Sequence, residues 1–289
     1  MEKEGKWWGV RHYRRGMGIT VRALGTEYGP LAAWTGEPVE DIRRQAEEDH
    51  EGRVHWIAWR DGTVVGAMHP WLAPDGKQRL FFDRTVAEAY PALVGMIDGA
   101  CTTYAGVEDS KSVEALRGLG FEVSRRELQV EIPVARTEYA VPAGYEVISA
   151  ADTGVRELMT LDAGIRNDVP GAEGWQTDEQ WFREETYESP FFDPETYLVA
   201  IDSSDAYAGL VRIWNGPRPL PRLGLIGVLA VHRRRGLARA LLSQGFNVLA
   251  ARGNPTAIAE VDETNTASRT LLSSFGATPV GVELELTRA

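Results

Sequence analysis

The sequence predicts an α/β (α+β) chain of two tandem domains, and three observations lead there. Residues 223–242 read as an apolar strand, a turn bearing arginine and glycine, and an amphipathic helix. Residues 258–276 read as a short strand, a helix opened by Asn265 and a glycine stop. A strand, turn and strand at 56–69 recurs at 197–213, and each copy is followed by a helix ending in glycine, at Gly120 and at Gly276.

Taken in chain order, Trp7, Trp8 and the basic run from His12 to Arg15 fit either a first strand or an arm. The first strand, turn and strand follow, with Gly66 in the second strand. The interval from Gly66 to Gly120 is 54 residues, whereas that from Gly209 to Gly276 is 67, so the first copy is short in the segment that holds the arginine and glycine turn of the second. Its counterpart, residues 82–91, has no glycine and one arginine. A strand pattern at 128–134 gives way to polar residues, Pro142 and Gly144, which places a domain break near residue 140 and defines domains 1–140 and 141–289. Two amphipathic helices are then expected within residues 162–195, before the second strand, turn and strand.

Composition sets limits. The 289 residues, 43% of them hydrophobic, are enough for two packed cores. A net charge of −11 argues against a nucleic-acid partner. No apolar run approaches the ~20 residues that span a bilayer, and the opening residues lack the apolar core of a secretory signal. The expectation is a soluble, cytoplasmic protein without a membrane partner; a homodimer is compatible with the sequence. A single cysteine, Cys101, excludes an internal disulfide and reads as a small buried apolar residue, and five scattered histidines give no metal-ligand spacing.

The turn at 233–236 is where chemistry concentrates. Arg233, Arg234, Arg235 and Gly236 precede Leu237, Ala238 and Arg239, which open the helix. The first amides of a helix lack intrahelical acceptors and its dipole adds positive potential there, so the turn and helix start aim at one anion. Gly236 and the small Ala238 let an oxygen-rich group approach the main chain, while the guanidiniums offer bidentate donors. A pyrophosphate suits this arrangement. A Walker loop would need a lysine and a hydroxyl after its last glycine, and a dinucleotide fingerprint three glycines at fixed positions; neither is present. Arg233, Gly236 and Ala238 instead fit Arg/Gln-x-x-Gly-x-Gly/Ala, which resembles the acetyl-coenzyme A loop of the GCN5-related N-acetyltransferase (GNAT) family. The later run Glu260-Val261, Asn265 five residues after the Glu, and Phe275-Gly276 is similar to the second half of that family's signature.

The resemblance implies two GNAT-like domains, each a mixed central β-sheet of six or seven strands flanked by helices, with a splayed parallel pair that admits the pantetheine arm. It implies acetyl-CoA as co-substrate, no metal, and an N-acetyltransferase acting on a primary amine, with the first domain degenerate for want of the pyrophosphate loop. The tandem plan is similar to that of the mycothiol synthase type of acyltransferase. Ile226 and Val228 would bind the pantetheine through their main chain, with Asn265 and Ser268 also beside the coenzyme. Glu260 matches the motif's carboxylate and would deprotonate the acceptor, with Asp262 and Glu263 as weaker candidates. Where many members carry a tyrosine to protonate the thiolate, this chain has Leu272, leaving Ser273 or Ser268 to assist through a water.

The acceptor site is expected within residues 162–195, where ten acids face only Arg166 and Arg183, interleaved with aromatic residues. The substrate loop would place Asp168, Glu173 and Trp175 around a small cationic amine. A plainer reading makes these acids the solvated faces of two helices. Two alternatives to the small amine stay open: a protein N-terminal or lysine acetyltransferase, and a coenzyme A-binding sensor that has lost catalysis.

Overall fold

The structure is a computed structural model that describes residues 13–14, 18–25, 28–47, 55–216 and 219–289. Of the basic run near the start, Tyr13–Arg14 forms a strand, while Trp7, Trp8, His12 and Arg15 lie outside the described residues. The chain divides into two compact units. Unit 1 comprises Met1–Ala73, Lys77–Ser124 and Leu284–Ala289, and unit 2 comprises Pro74–Gly76 and Arg125–Glu283.

The elements are, in chain order, β1 (Tyr13–Arg14), β2 (Ile19–Ala23), α1 (Gly29–Thr35), α2 (Val39–Glu47), β3 (Trp56–Arg60), β4 (Thr63–Leu72), β5 (Gln78–Asp83), α3 (Tyr90–Val94), β6 (Cys101–Gly106), α4 (Ser110–Gly118) and β7 (Glu122–Pro133). There follow β8 (Tyr145–Ser149), α5 (Val155–Arg166), α6 (Glu179–Thr186), β9 (Tyr197–Asp202), β10 (Tyr207–Trp214), β11 (Arg222–Val228), α7 (Leu237–Ala251), β12 (Thr256–Asp262), α8 (Thr266–Ser273) and β13 (Thr278–Arg288). No helix among the described residues is long and apolar enough to cross a membrane.

Each unit is a mixed sheet with helices. In unit 1 the order is β1-β2-β3-β4-β5-β6 with the end of β13 beside β6; β1 to β5 pair antiparallel and β5 with β6 parallel. In unit 2 the order is β8-β9-β10-β11-β12, then the latter part of β7 and the first part of β13. Here β11 and β12 are the parallel pair, and β8 to β11 and β12 to β7 run antiparallel. The internal repeat is visible in the caps as well as in the order. Asp109 accepts from the Ser112 amide at the start of α4, and Asn265 accepts from the Ser268 amide at the start of α8. Both helices end by the same device, with Phe121 N donating to Leu116 O and Ala277 N to Leu272 O across a left-handed glycine, Gly120 or Gly276.

The units divide between Ser124 and Arg125, upstream of the break that the sequence suggests near residue 140. The stretch around 140 is tied down. The Thr137 amide donates to Asn247 Oδ1 at 2.9 Å, and its carbonyl accepts from Ser243 Oγ at 2.8 Å and Asn247 Nδ2 at 2.9 Å. The break read from Pro142 and Gly144 is a surface turn, because residues 125–133 pair with β12 and residues 137–139 lie along α7.

In unit 2, α7 places Leu237, Leu241, Leu242, Phe246 and Leu249 against Val211, Ile213 and Val228 on one face of the sheet. The other face buries Leu158, Leu161, Ile165 and Phe182 of α5 and α6 against Tyr197, Val199, Leu210 and Leu225. Cys101 of unit 1 is buried, as its sequence reading has it.

The local feature that shapes unit 2 is a bulge. Arg212 faces Leu225 across β10 and β11, but the next residue, Ile213, faces Leu223, so Gly224 is an extra residue in β11. A Cβ at Gly224 would lie 3.0 Å from two ring carbons of Trp214, so the indole occupies the space that any side chain would need. Bent there, β11 leaves its parallel neighbour: the registered pair is Arg222 with Ile258, joined by the Ile258 amide donating to Pro221 O at 2.8 Å.

Two stability changes follow. Leu286, fully buried although it is near the end of the chain, belongs to unit 1; Leu286→Ala should cost about 2–5 kcal/mol in urea unfolding, whereas an unchanged midpoint would mean that this strand end is not packed. Gly224→Ala should cost about 1–3 kcal/mol, and less in a Trp214→Phe background, where the smaller ring leaves room; equal costs in both backgrounds would remove the indole as the cause.

Candidate active site

Where β11 and β12 part, a cleft with room of about 100 Å³ opens between Leu223–Ile226 on one side and Ala259–Asp262 on the other. Asn265, Ser268 and Leu272 close one wall, and Arg125, Glu127, Val169 and Pro170 another. The main chain of β11 is turned toward this gap. The Leu229 amide donates to Ala208 O of the neighbouring segment, so in the alternation of an antiparallel pair Val228 and Ile226 point their N–H and C=O groups to the opposite, open edge. The Val228 carbonyl there accepts from Arg233 Nε at 2.7 Å.

The strand runs into a one-turn 3-10 helix, Ala230–His232, and then into the arginine turn. Gly236 caps α7 with φ 88° and ψ 0°, a left-handed conformation suited to glycine, and a Cβ there would meet nothing within 4 Å. No side chain caps this helix, in contrast to α4, α6 and α8, so the first-turn amides of Leu237, Ala238 and Arg239 are not covered by a cap. Leu237 offers main chain only, its side chain being core. Arg234 and Arg235 are exposed; the Arg235 guanidinium lies 5.9 Å from the Tyr145 ring and that of Arg239 5.9 Å from the Tyr139 ring. Arg233 is engaged elsewhere, pairing with Asp168 as well as bonding Val228.

Glu260 lines the cleft, and its Oε2 receives both Nε and Nη2 of Arg222 at 2.7 Å. Arg222 in turn lies 5.1 Å from the Trp214 ring, which Arg212 also covers at 4.9 Å. The carboxylate is thus held in a fixed orientation by a guanidinium that is itself stacked. Asp262 is used in a turn, accepting from the Thr264 amide at 2.7 Å, with Arg125 Nη1 3.6 Å away. Glu263 is exposed and pairs with Arg126.

On α8, Ser268 and Leu272 share the cleft face at i and i+4, with Asn265 capping the helix below them. Ser273, one residue further, is exposed and lies off the cleft, because a step of one residue turns the side chain about a quarter of the way round a helix. Of the two serines singled out in the sequence, Ser268 alone lines the cleft.

The acid-rich stretch is mostly spoken for. Asp162 pairs with Arg166 at 2.5 Å, Asp168 with Arg233, and Glu179 with Arg156 at 2.5 Å; Asp193 and Glu195 both pair with Arg252. Glu173 accepts from the Gly171 amide at 2.9 Å, and Asp178 caps α6. Trp175 lies under the Arg166 guanidinium at 4.8 Å. Burial pulls the Arg166 guanidinium below its ordinary value, and Asp162 opposes that shift. Asp168, Glu173 and Trp175 thus each engage another group of the protein, and from the loop between α5 and α6 it is Val169 and Pro170 that line the cleft.

Sequence reasoning missed Arg125 and Glu127. They reach the cleft from β7, whose residues 127–133 pair with β12, and Glu127 stands directly opposite Asp262. Arg125 pairs with Glu127 at 2.6 Å and donates to Pro170 O. The alternation at 128–134 announces a strand, but nothing local says which sheet it joins.

Residues 161–277 match the model of the acetyltransferase (GNAT) family. The chain is 29% identical over 173 residues to the mycothiol acetyltransferase of Acidimicrobium ferrooxidans, a match covering 57% of this chain and 54% of that protein. It is 36% identical over 98 residues to the mycothiol acetyltransferase of Streptomyces griseus, covering 33% of this chain and 31% of that protein. It thus spans about half the length of the first of these relatives and about a third of the second. Two solved structures share the fold along nearly their whole length: a GCN5-related N-acetyltransferase from Sphaerobacter thermophilus, with TM-score 0.71, 16% identity and coverage of 93% of this chain and 95% of that one, and a tandem GNAT protein from the clavulanic acid biosynthesis pathway, with TM-score 0.69, 14% identity and coverage of 93% and 98%. The parted strands and the uncapped helix start lie inside the segment 161–277, which is the GNAT domain of this chain.

Proposed function

We propose that unit 2 is an acetyl-CoA-dependent N-acetyltransferase that moves an acetyl group to a primary amine by direct attack on the thioester. The observation that carries this is the continuity of β11 with α7: outward main-chain groups at Ile226 and Val228 lead, over one turn, to the uncapped amides behind Gly236. The open space where a Cβ at Gly236 would sit fits a diphosphate against the main chain. Arg234, Arg235 and Arg239 then add charge around it, and Asn265 and Ser268 border the pantetheine. A pantetheine arm between the strands would put its thioester beside Glu260.

The acceptor ammonium loses a proton to a cleft carboxylate, for which Glu260 is the first candidate and Glu127 the second. The free amine attacks the carbonyl carbon, the new C–N bond replaces the C–S bond, and the second nitrogen proton passes to the thiolate, with the Ser268 hydroxyl as the nearest side-chain relay on α8. Leu272 offers no proton at the family's tyrosine position, so the thiolate leaves without a side-chain acid from that position. The acceptor we assign is a primary amine; the side chains expected around it, Asp168, Glu173 and Trp175, are engaged with Arg233, the Gly171 amide and Arg166, so they would have to exchange these partners to receive it. In unit 1 the counterpart of α7 is α3, five residues long against fifteen, and without a glycine before it. Unit 1 accordingly does not take up coenzyme A in this manner.

Calorimetry with coenzyme A should show binding that Gly236→Glu weakens at least about tenfold, since the side chain intrudes on the anion and the strained φ must relax; an unaltered affinity would mean that the turn has been misread. Incubation with acetyl-CoA and putrescine, glucosamine or a short peptide should release free thiol. Tight binding without release on every amine would make the chain a sensor. With a working acceptor, Glu260→Gln should lower turnover about 100-fold near neutral pH and recover part of it at high pH, where free amine is abundant. If Glu127→Gln shows that recovery and Glu260→Gln does not, the base is Glu127.

A further inference from the structure

Between α5 and α6 the chain makes a tight turn whose outward carbonyl is held by an arginine from a distant strand. Ala172 N donates to Val169 O at 3.0 Å, Pro170 and Gly171 lie between them, and Gly171 has φ 81°. Proline fixes a negative φ at the first central position and glycine supplies the positive φ at the second, so residues 169–172 form a type II turn. The turn's own bond uses the Val169 carbonyl and the Ala172 amide. The Pro170 carbonyl is left to bond outside the turn, and Arg125 Nη1 of β7 donates to it. The guanidinium also lies against the next residue, because a Cβ at Gly171 would fall on its Cζ. Gly171 is thus required twice, for its φ and for the space that Arg125 fills.

Arg125 is itself aimed. Its Nη2 pairs at 2.6 Å with Glu127, two residues on along β7, and its Nη1 lies 3.6 Å from Asp262 of β12, the cross-strand partner of Glu127. The Arg125 and Glu127 side chains are 17% and 19% exposed. A second tie on the same loop, Asp168 with Arg233, is 54% and 42% exposed, and an ion pair so open to water contributes little. A charge-assisted bond from a mostly buried guanidinium to a main-chain carbonyl contributes more, so Arg125 is the stronger tie. Val169 and Pro170, which the turn presents, wall the cleft beside Arg125 and Glu127. In the reaction proposed above, Asn265 and Ser268 border the pantetheine, which leaves this other wall to the acceptor.

We propose that Arg125 is a positioning residue for the acceptor amine: by holding the turn at 169–172, it fixes Val169 and Pro170 as the acceptor's wall of the cleft. This role rests on the reaction proposed above; the tie between Arg125 and the turn does not.

Amide exchange on the full chain, without any ligand, tests the tie. The Ala172 amide should exchange about tenfold faster in Arg125→Ala than in the wild type, while amides of α7 keep their rates; an unchanged rate, or an equal rise throughout α7, would overturn it. Gly171→Ala should lower the urea midpoint, and by less in an Arg125→Ala background; equal shifts would mean that the guanidinium does not occupy that space. Thiol release with a working acceptor tests the role. Arg125→Ala should raise KM for the amine about tenfold with KM for acetyl-CoA unchanged, and Arg125→Lys should recover part of the loss by keeping a donor to Pro170 O. A loss confined to kcat would instead assign Arg125 to the reacting groups through Glu127, and equal rises in both KM values, or no recovery with lysine, would leave it a structural residue; each overturns the positioning role. If the wild type binds coenzyme A yet releases no thiol on any amine, the enzymatic reading and the acceptor role fall together, and exchange at Ala172 still judges the tie.

Discussion

The parting of β11 from β12 is the constraint on which the rest of unit 2 depends. A parallel pair that stayed in register would bond every outward amide of β11 to its neighbour and leave nothing for a ligand. The bulge at Gly224 prevents this, and Trp214 keeps the bulge in place by filling the volume above it. Arg222 is the last residue of β11 in register with β12, and it is also the partner of Glu260. The residue that marks the fork therefore also holds the carboxylate inside it.

Local features of this arrangement were legible in the sequence. The strand, turn and helix from 223 to 242 are read from apolar periodicity and from one glycine, and the structure places β11 and α7 there. Asn265 reads as a cap because a polar side chain before a periodic run satisfies free amides, and it accepts from Ser268 as expected. What the sequence does not disclose is pairing. Glu127 reaches the cleft because β7 joins β12, a contact between residues more than 120 positions apart, and no periodicity within β7 names its partner. Gly224 looks like any glycine in a strand until Trp214 is found above it.

The acid-rich stretch shows how composition can mislead at a site. Ten acids against two arginines within one segment suggest an anionic pocket, but charge along the chain is not charge in space. Arg156 lies just before the segment, and Arg233 and Arg252 arrive from distant parts of the sequence to take Glu179, Asp168, Asp193 and Glu195. Two further acids bond main-chain amides, which is the ordinary use of a carboxylate near a turn or a helix start. The carboxylates that remain beside the parted strands come from β7 and β12, where the sequence shows short alternating segments rather than a run.

The two units, taken separately, divide what the fold requires from what the ligand requires. Both retain the Asx cap, the glycine stop and a parallel pair, features whose loss would expose backbone groups and unravel the sheet edge. They differ in the helix after the first strand of that pair. Five residues make little more than one turn, and α3 begins at Tyr90 and Pro91, so it offers neither a glycine beside its first amides nor the dipole of α7's four turns. A sheet can be closed by a short helix as well as by a long one, provided the apolar face is covered, and α3 covers it with Ala92, Leu93 and Val94. An anion site cannot be built that way. Most of the 13-residue deficit between the copies falls between the strands of the parallel pair, residues 84–100 in unit 1 against 229–255 in unit 2, a segment that packing can spare and the proposed diphosphate site cannot.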